Sequence, residues 1–84
     1  INFRLEDKKG AMDAVRDYFM STEQATAYMD FDGYRVEFPQ WWFNIRPSNT
    51  EPYLRFLCEA VSKELLDEKV AKVREIITQE FGGK

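Results

Sequence analysis

Residues 34–46 carry the tightest constraint on the fold. Tyr34, Val36 and Phe38 alternate with Arg35 and Glu37, and after Pro39-Gln40 the alternation resumes with Phe43 and Ile45 against Trp42, Asn44 and Arg46. A period of two is the signature of a strand buried on one side only, because successive side chains leave a pleated strand in opposite directions. Two such runs joined by a tight turn form an antiparallel hairpin with one apolar and one polar face. Ile1, Phe3 and Leu5 alternate in the same way with Asn2 and Arg4, which predicts another half-buried strand at 1–5.

The other segments are helical or ambiguous. Asp7 can cap a helix over Lys8–Met20, in which Ala11, Met12, Val15 and Phe19 form one apolar stripe. Ser21–Ala25 reads as a loop, Ala27–Phe31 as a short additional strand, and Asp32-Gly33 as a hairpin-turn dipeptide. Residues 54–60 fit two patterns. With period two, Leu54, Phe56, Cys58 and Ala60 face inward and Arg55 and Glu59 outward; with period 3.6, Leu54, Leu57, Cys58, Val61 and Leu65 make an equally good stripe. Leu66, Val70, Val73, Ile77 and Phe81 predict a helix over 65–81, stopped by Gly82-Gly83 and supported by a Glu68–Lys72 pair at i, i+4. Single-striped helices and alternating strands imply a sheet covered on one face, leaving the other free to meet something else.

At 84 residues the chain makes one small domain, and a domain of this size buries only about 60 to 65 per cent of its unfolded surface. It has no room for a large enclosed active site. Because it opens on Ile1 and enters directly on strand alternation, it is expected to be an excised domain or processed fragment of a longer protein. No apolar run approaches the roughly 20 residues that span a bilayer, and no segment resembles a signal peptide. Cys58 is the sole cysteine, which fits a reducing compartment and a small buried hydrophobe better than a reactive thiol. These features predict a cytoplasmic protein without membrane contact. The net charge of −3 argues against nucleic acid as a partner, and with no histidine the side chain best suited to proton transfer near neutral pH is missing.

The chemistry concentrates in Arg46-Pro47-Ser48-Asn49-Thr50-Glu51-Pro52-Tyr53-Leu54-Arg55. A phosphate dianion presents acceptor oxygens only, so its site needs convergent donors, and Arg46, Ser48, Asn49 and Thr50 supply a guanidinium, hydroxyls and a carboxamide. Pro47 and Pro52 restrict the backbone on either side. Ser48-Asn49-Thr50-Glu51 also matches the Ser/Thr-x-x-Glu box that starts many helices, so the residues alone leave a phosphate grip and a helix cap both open. Asp30 and Asp32 are too few to hold a metal and are explained by the hairpin turn. Trp41, Trp42, Tyr34 and Phe43 read as core or inter-domain packing, with Trp42 on the polar face the exception to test.

Trp42-Phe43-Asn44-Ile45-Arg46-Pro47-Ser48-Asn49-Thr50-Glu51-Pro52-Tyr53-Leu54-Arg55 closely resembles the phosphate-binding loop in the C-terminal domain (domain 4) of α-D-phosphohexomutases, in particular the phosphomannomutase/phosphoglucomutase group. The likeness extends to Ile1-Asn2-Phe3-Arg4, Asp32-Gly33, Glu59-Ala60 and the last amphipathic helix. Asn49 leans toward the mannose and glucose phosphate enzymes, since the glucosamine mutases tend to have Gly there. The resemblance implies an α+β, TATA-binding-protein-like domain with an antiparallel sheet of about four strands and two helices on one face, and it favours a strand over 54–60.

It also implies the roles. Arg46 would be the charged fork, Ser48 and Thr50 hydroxyl donors and Asn49 an amide donor to the sugar phosphate that is not being transferred. Glu51 is a poor neighbour for a dianion, so it is expected to point away and brace the loop through a cation such as Arg55 or through main-chain donors. Arg55 is expected either to support the loop from behind or to be an exposed strand residue without a part in binding, and Arg4 and Asn44 to be bystanders. The partners implied are a mannose or glucose phosphate and the remaining domains of the enzyme, which would supply a phosphoserine and a magnesium ion. The chain itself holds no nucleophile or metal loop and is expected to be inactive alone. The rival expectation is a non-enzymatic interaction module that uses the open sheet face and Trp42.

Overall fold

The computed structural model describes residues 1–48 and 51–83. Its elements in chain order are β1 (Asn2–Arg4), α1 (Lys8–Thr22), β2 (Ala27–Met29), β3 (Tyr34–Glu37), β4 (Trp41–Pro47), β5 (Tyr53–Ala60) and α2 (Lys63–Phe81). The strands form one antiparallel sheet in the order β1-β5-β4-β3-β2. The chain enters on one edge, crosses through α1 to the opposite edge, returns strand by strand to β5, and ends in α2. This is the expected α+β architecture, with five strands in place of about four. The additional strand is β2, a three-residue edge held by pairing Ala27, Tyr28 and Met29 with Glu37, Val36 and Arg35.

Register sorts the side chains. Val36, Phe43 and Cys58 form one cross-strand row, and Tyr34, Ile45 and Phe56 another; Phe3 lies opposite Leu54. All lie on the face that the helices cover, and Phe3, Val36, Phe43, Ile45 and Leu54 are fully buried there. On the reverse face Arg35, Asn44 and Leu57 form a row, as do Glu37, Trp42 and Glu59, and Asn2, Arg55 and Arg46.

Residues 53–60 are a strand, and no helix opens at Ser48. β5 pairs with β4 along its length and with β1 over Tyr53–Arg55, so its first half is an interior strand of the sheet. The strand buries Leu54 and Phe56 and leaves Leu57 59% exposed, whereas the helical stripe required Leu57 to be inside.

α1 contributes Ala11, Met12, Val15 and Phe19, and α2 contributes Val73, Ile76 and Ile77. Phe19 of α1 meets Trp41 edge-on at 4.8 Å, and Phe38 stacks on the same ring at 4.8 Å. The Trp41 indole N–H donates to the Glu23 carboxylate at 3.0 Å, which also receives Lys69 at 2.7 Å, so the polar edge of the ring is satisfied where the helices meet.

The termini are capped as physical chemistry requires. Asp7 accepts from the Gly10 amide at 3.0 Å, and Ser62 from that of Leu65 at 3.2 Å, which starts α2 two residues before the apolar stripe does. Gly82 closes α2 in the left-handed region at φ 65°. One expected pair is replaced: Lys72 reaches Glu75 at 2.9 Å instead of Glu68, with its ammonium 5.2 Å from the Tyr18 ring centre. The i, i+3 direction places the lysine where α2 faces α1, and the ring adds a second attraction there.

Candidate functional site

β4 and β5 are joined by the segment that carries the phosphate-like motif. The hairpin closes where the Ser48 amide donates to the Tyr53 carbonyl at 2.8 Å. Pro47 lies opposite Leu54 and Arg46 opposite Arg55, so both guanidinium-bearing residues leave the open face in adjacent strands at the base of the loop. Like charges directly opposite in a sheet are destabilising. Neither Arg46 nor Arg55 takes part in any ion pair among the described residues. The expected Glu51–Arg55 pair is not among those ion pairs; Glu51 meets its neighbours through its main-chain carbonyl, which accepts from the Lys8 ammonium at 3.2 Å. Ser48 is placed at the start of the loop, while Asn49 and Thr50 lie outside the described residues.

The base of the loop is crowded from two sides. Gly33, in the turn between β2 and β3, has φ 111°, and a Cβ there would stand 2.6 Å from both the Arg46 Cβ and the Ile45 carbonyl oxygen. The preceding Asp32 also has positive φ, 55°. The Asp-Gly turn therefore lets one chain reversal press directly against the stem of Arg46. From the other side the Leu5 amide donates to the Pro52 carbonyl at 3.0 Å, and Lys8 donates to the carbonyls of Ser48 and Glu51 at 3.2 Å each.

A shallow concavity of about 450 Å³ runs along the open face from this loop, lined in part by Arg35, Trp42, Asn44, Arg46, Arg55 and Leu57. At its far end the Arg35 guanidinium lies 4.1 Å over the Trp42 ring centre and donates to Glu37 at 3.0 Å. Arg35 is thus engaged, and Trp42 is covered on one side by a cation. The Asn44 amide donates to the Tyr34 carbonyl at 3.4 Å, which ties it to the neighbouring strand.

Among the described residues no group of three or more His, Cys, Asp or Glu could hold a metal ion. Asp30 and Asp32 are exposed, beside or in the Asp-Gly turn, and bring no third ligand with them. Burial raises the pKa of the Cys58 thiol, which suppresses the reactive thiolate. No described helix is long and apolar enough to cross a membrane.

Alternation places Arg46, Asn44 and Trp42 on one polar face, the resemblance adds Arg55 by favouring a strand over 54–60, and register brings the four together there. It missed Lys8 and Gly33, which act on the loop from 40 residues and from 13 residues away in the chain. A signal for the first existed: Lys8 and Lys9 occupy the positive end of α1, where cations are disfavoured.

Fold and site together define a small one-sided α+β domain that presents, at a proline-bracketed hairpin, two arginines without an ion-pair partner among the described residues. Residues 1–76 match the family model of the phosphoglucomutase/phosphomannomutase C-terminal domain. A phosphomannomutase of Methanocaldococcus jannaschii is 35% identical over 94% of this chain and 17% of its own length. A phosphomannomutase of Vibrio cholerae is 36% identical over 92% of this chain and 16% of its own length. A probable phosphoglucosamine mutase of Pyrococcus furiosus is 32% identical over 88% of this chain and 16% of its own length. The crystal structure of a phosphoglucomutase/phosphomannomutase family protein from Burkholderia thailandensis superposes with a TM-score of 0.59 at 29% identity, covering 93% of this chain and 16% of that one. The chain belongs to the phosphoglucomutase/phosphomannomutase family and corresponds to its C-terminal domain. It spans about one sixth of the length of these relatives.

Proposed function

We propose that this domain holds the non-reacting phosphate of a mannose or glucose phosphate within a mutase that interconverts hexose 1- and 6-phosphates. Arg46 supplies a planar fork that can engage two phosphate oxygens at once, Ser48 and Thr50 supply hydroxyls, Asn49 supplies an amide, and Arg55 adds a second positive charge behind them. The observation that carries the reading is the register pair Arg46–Arg55, two like charges side by side with no carboxylate between them among the described residues. An anion at the loop converts that repulsion into attraction on both sides. The domain would position the substrate and break no bond, while phosphoryl transfer and its magnesium ion would belong to the rest of the enzyme, a cytoplasmic one in the same proposal.

Magnitudes set what the chain can do alone. Charge-assisted hydrogen bonds contribute roughly 1.5 to 3 kcal/mol each, so a few of them reach on the order of 5 to 10 against an association cost of about 4 to 15. Binding near millimolar or weaker is the outcome. Titrating the chain with glucose 6-phosphate and following amide resonances should shift residues 46–55, and Arg46→Ala should reduce affinity by more than about tenfold. Shifts elsewhere with residues 46–55 unmoved would refute the reading. Trp42 beside the exposed Leu57 supports the second reading, a protein-docking face, under which Trp42→Ala matters and phosphate does nothing.

A further inference from the structure

We infer that Lys8 is a positioning residue for this loop, an ammonium that draws loop carbonyls away from the side on which an anion would sit; the inference rests on the phosphate-binding reading above. A hairpin loop exposes carbonyl oxygens as well as amides, and each carbonyl turned toward a phosphate repels it. Here the carbonyls on both flanks of residues 49–50 are engaged by donors from the residue after β1, from α1 and from the hairpin itself. Ser48 and Glu51 give theirs to Lys8, Pro52 to the Leu5 amide, and Tyr53 to the Ser48 amide. One ammonium joins the Ser48 and Glu51 carbonyls at 3.2 Å each, so the oxygens lie within twice that distance of each other and the width of the loop's base has an upper bound.

The placement of Lys8 makes little sense as helix chemistry. It is the first residue of α1, directly after the Asp7 cap, and the first turn contains no acidic residue. Positive charge is unfavourable at that end of a helix dipole. Lys9 answers the same problem with a carboxylate one turn on, Asp13 at 2.9 Å, and with the Tyr34 hydroxyl at 2.8 Å. Lys8 instead spans 40 and 43 residues of sequence to reach main-chain acceptors at the loop. A local rule broken in favour of a long-range contact at a binding loop is the pattern expected of a residue retained for function.

The test uses the 84-residue chain as wild type, Lys8→Met, Lys8→Arg and Lys9→Met, each titrated with glucose 6-phosphate by NMR well below its thermal midpoint. Lys8→Met should weaken binding about three- to tenfold, Lys8→Arg should restore it to within about twofold, and Lys9→Met should bind as wild type. Equal binding by Lys8→Met overturns the inference, as does an equal loss in Lys9→Met, which would show only the removal of one positive charge. Hydrogen exchange without ligand gives an independent measurement. The Ser48 amide should exchange several-fold faster in Lys8→Met, and unchanged exchange overturns the brace. If wild type fails to bind while Ser48 still loosens in Lys8→Met, the phosphate reading falls and the brace stands as structure alone.

Discussion

Gly33 shows how one residue far from the motif governs where the motif's principal cation stands. A methyl group there would have to occupy space 2.6 Å from the Arg46 Cβ and the Ile45 carbonyl, at a φ of 111° that side chains rarely adopt. Gly33→Ala should therefore destabilise the domain by about 1 to 3 kcal/mol in urea denaturation and weaken hexose phosphate binding. Loss of stability with affinity unchanged would show that Arg46 tolerates the displacement. Asp13 makes a different residue-level statement. Its carboxyl accepts hydrogen bonds first from the Tyr34 hydroxyl and then from Lys9, and both hold its pKa below the ordinary 3.8. A depressed carboxyl contributes stability that is complete above its unfolded value and lost as pH falls through the folded one. Wild type should exceed Asp13→Asn in stability near neutral pH, and the gap should close as pH drops below about 3.8. A gap that persists in acid would assign the effect to packing. Because Asp13 is 35% exposed at the side chain, the gap should be small.

At the level of elements, β5 was the segment whose identity periodicity could not decide, and a pair of substitutions measures the decision. In the strand Phe56 is 2% exposed and Leu57 59% exposed; in the helical alternative Leu57 belongs to the buried stripe. Phe56→Ala should cost about 3 to 5 kcal/mol, while Leu57→Ser should stay within about 0.5 kcal/mol. Chemical denaturation of both variants reads the order directly, and the reverse order would restore the helix. The ambiguity has a physical origin. Leu54 and Cys58 fit both periods, Phe56 completes the strand pattern and Leu57 the helical one, and what selects the strand is the availability of β4 and β1 as partners, which no local window contains. By contrast β3, β4, α1 and α2 were legible because their apolar positions fit a single period. β2 was the hardest to read for the opposite reason: with Ala27 half-buried and Tyr28 and Met29 exposed, pairing with β3 and not burial makes it a strand.

Over the whole molecule, charge is segregated in a way that no single residue reveals. The net charge is −3, yet the open sheet face carries Arg4, Arg35, Arg46 and Arg55 against Glu37 and Glu59, so the surplus acid lies elsewhere. That face and its Arg4, Arg35 and Arg46 could be read from alternation, and Arg55 joins them only with 54–60 as a strand. The contacts that shape the loop could not, because Lys8 and Gly33 reach it only after the chain has folded back on itself. Segregation also makes a prediction about salt. The domain measures 32 × 26 × 20 Å, and the Debye length is about 30 Å at 0.01 M ionic strength, about 10 Å at 0.1 M and about 3 Å at 1 M. At the lowest ionic strength a phosphate at the loop feels nearly every charge, and the net acid opposes it. At about 0.1 M only the nearby arginines still act, and toward 1 M their attraction is itself screened. Affinity for glucose 6-phosphate should therefore stay level or rise slightly from about 0.01 to 0.1 M and fall beyond, in titrations at constant pH. A steep fall beginning at the lowest salt would mean that the domain attracts anions as a whole, and the loop would lose its claim to be a local cationic site in an acidic protein.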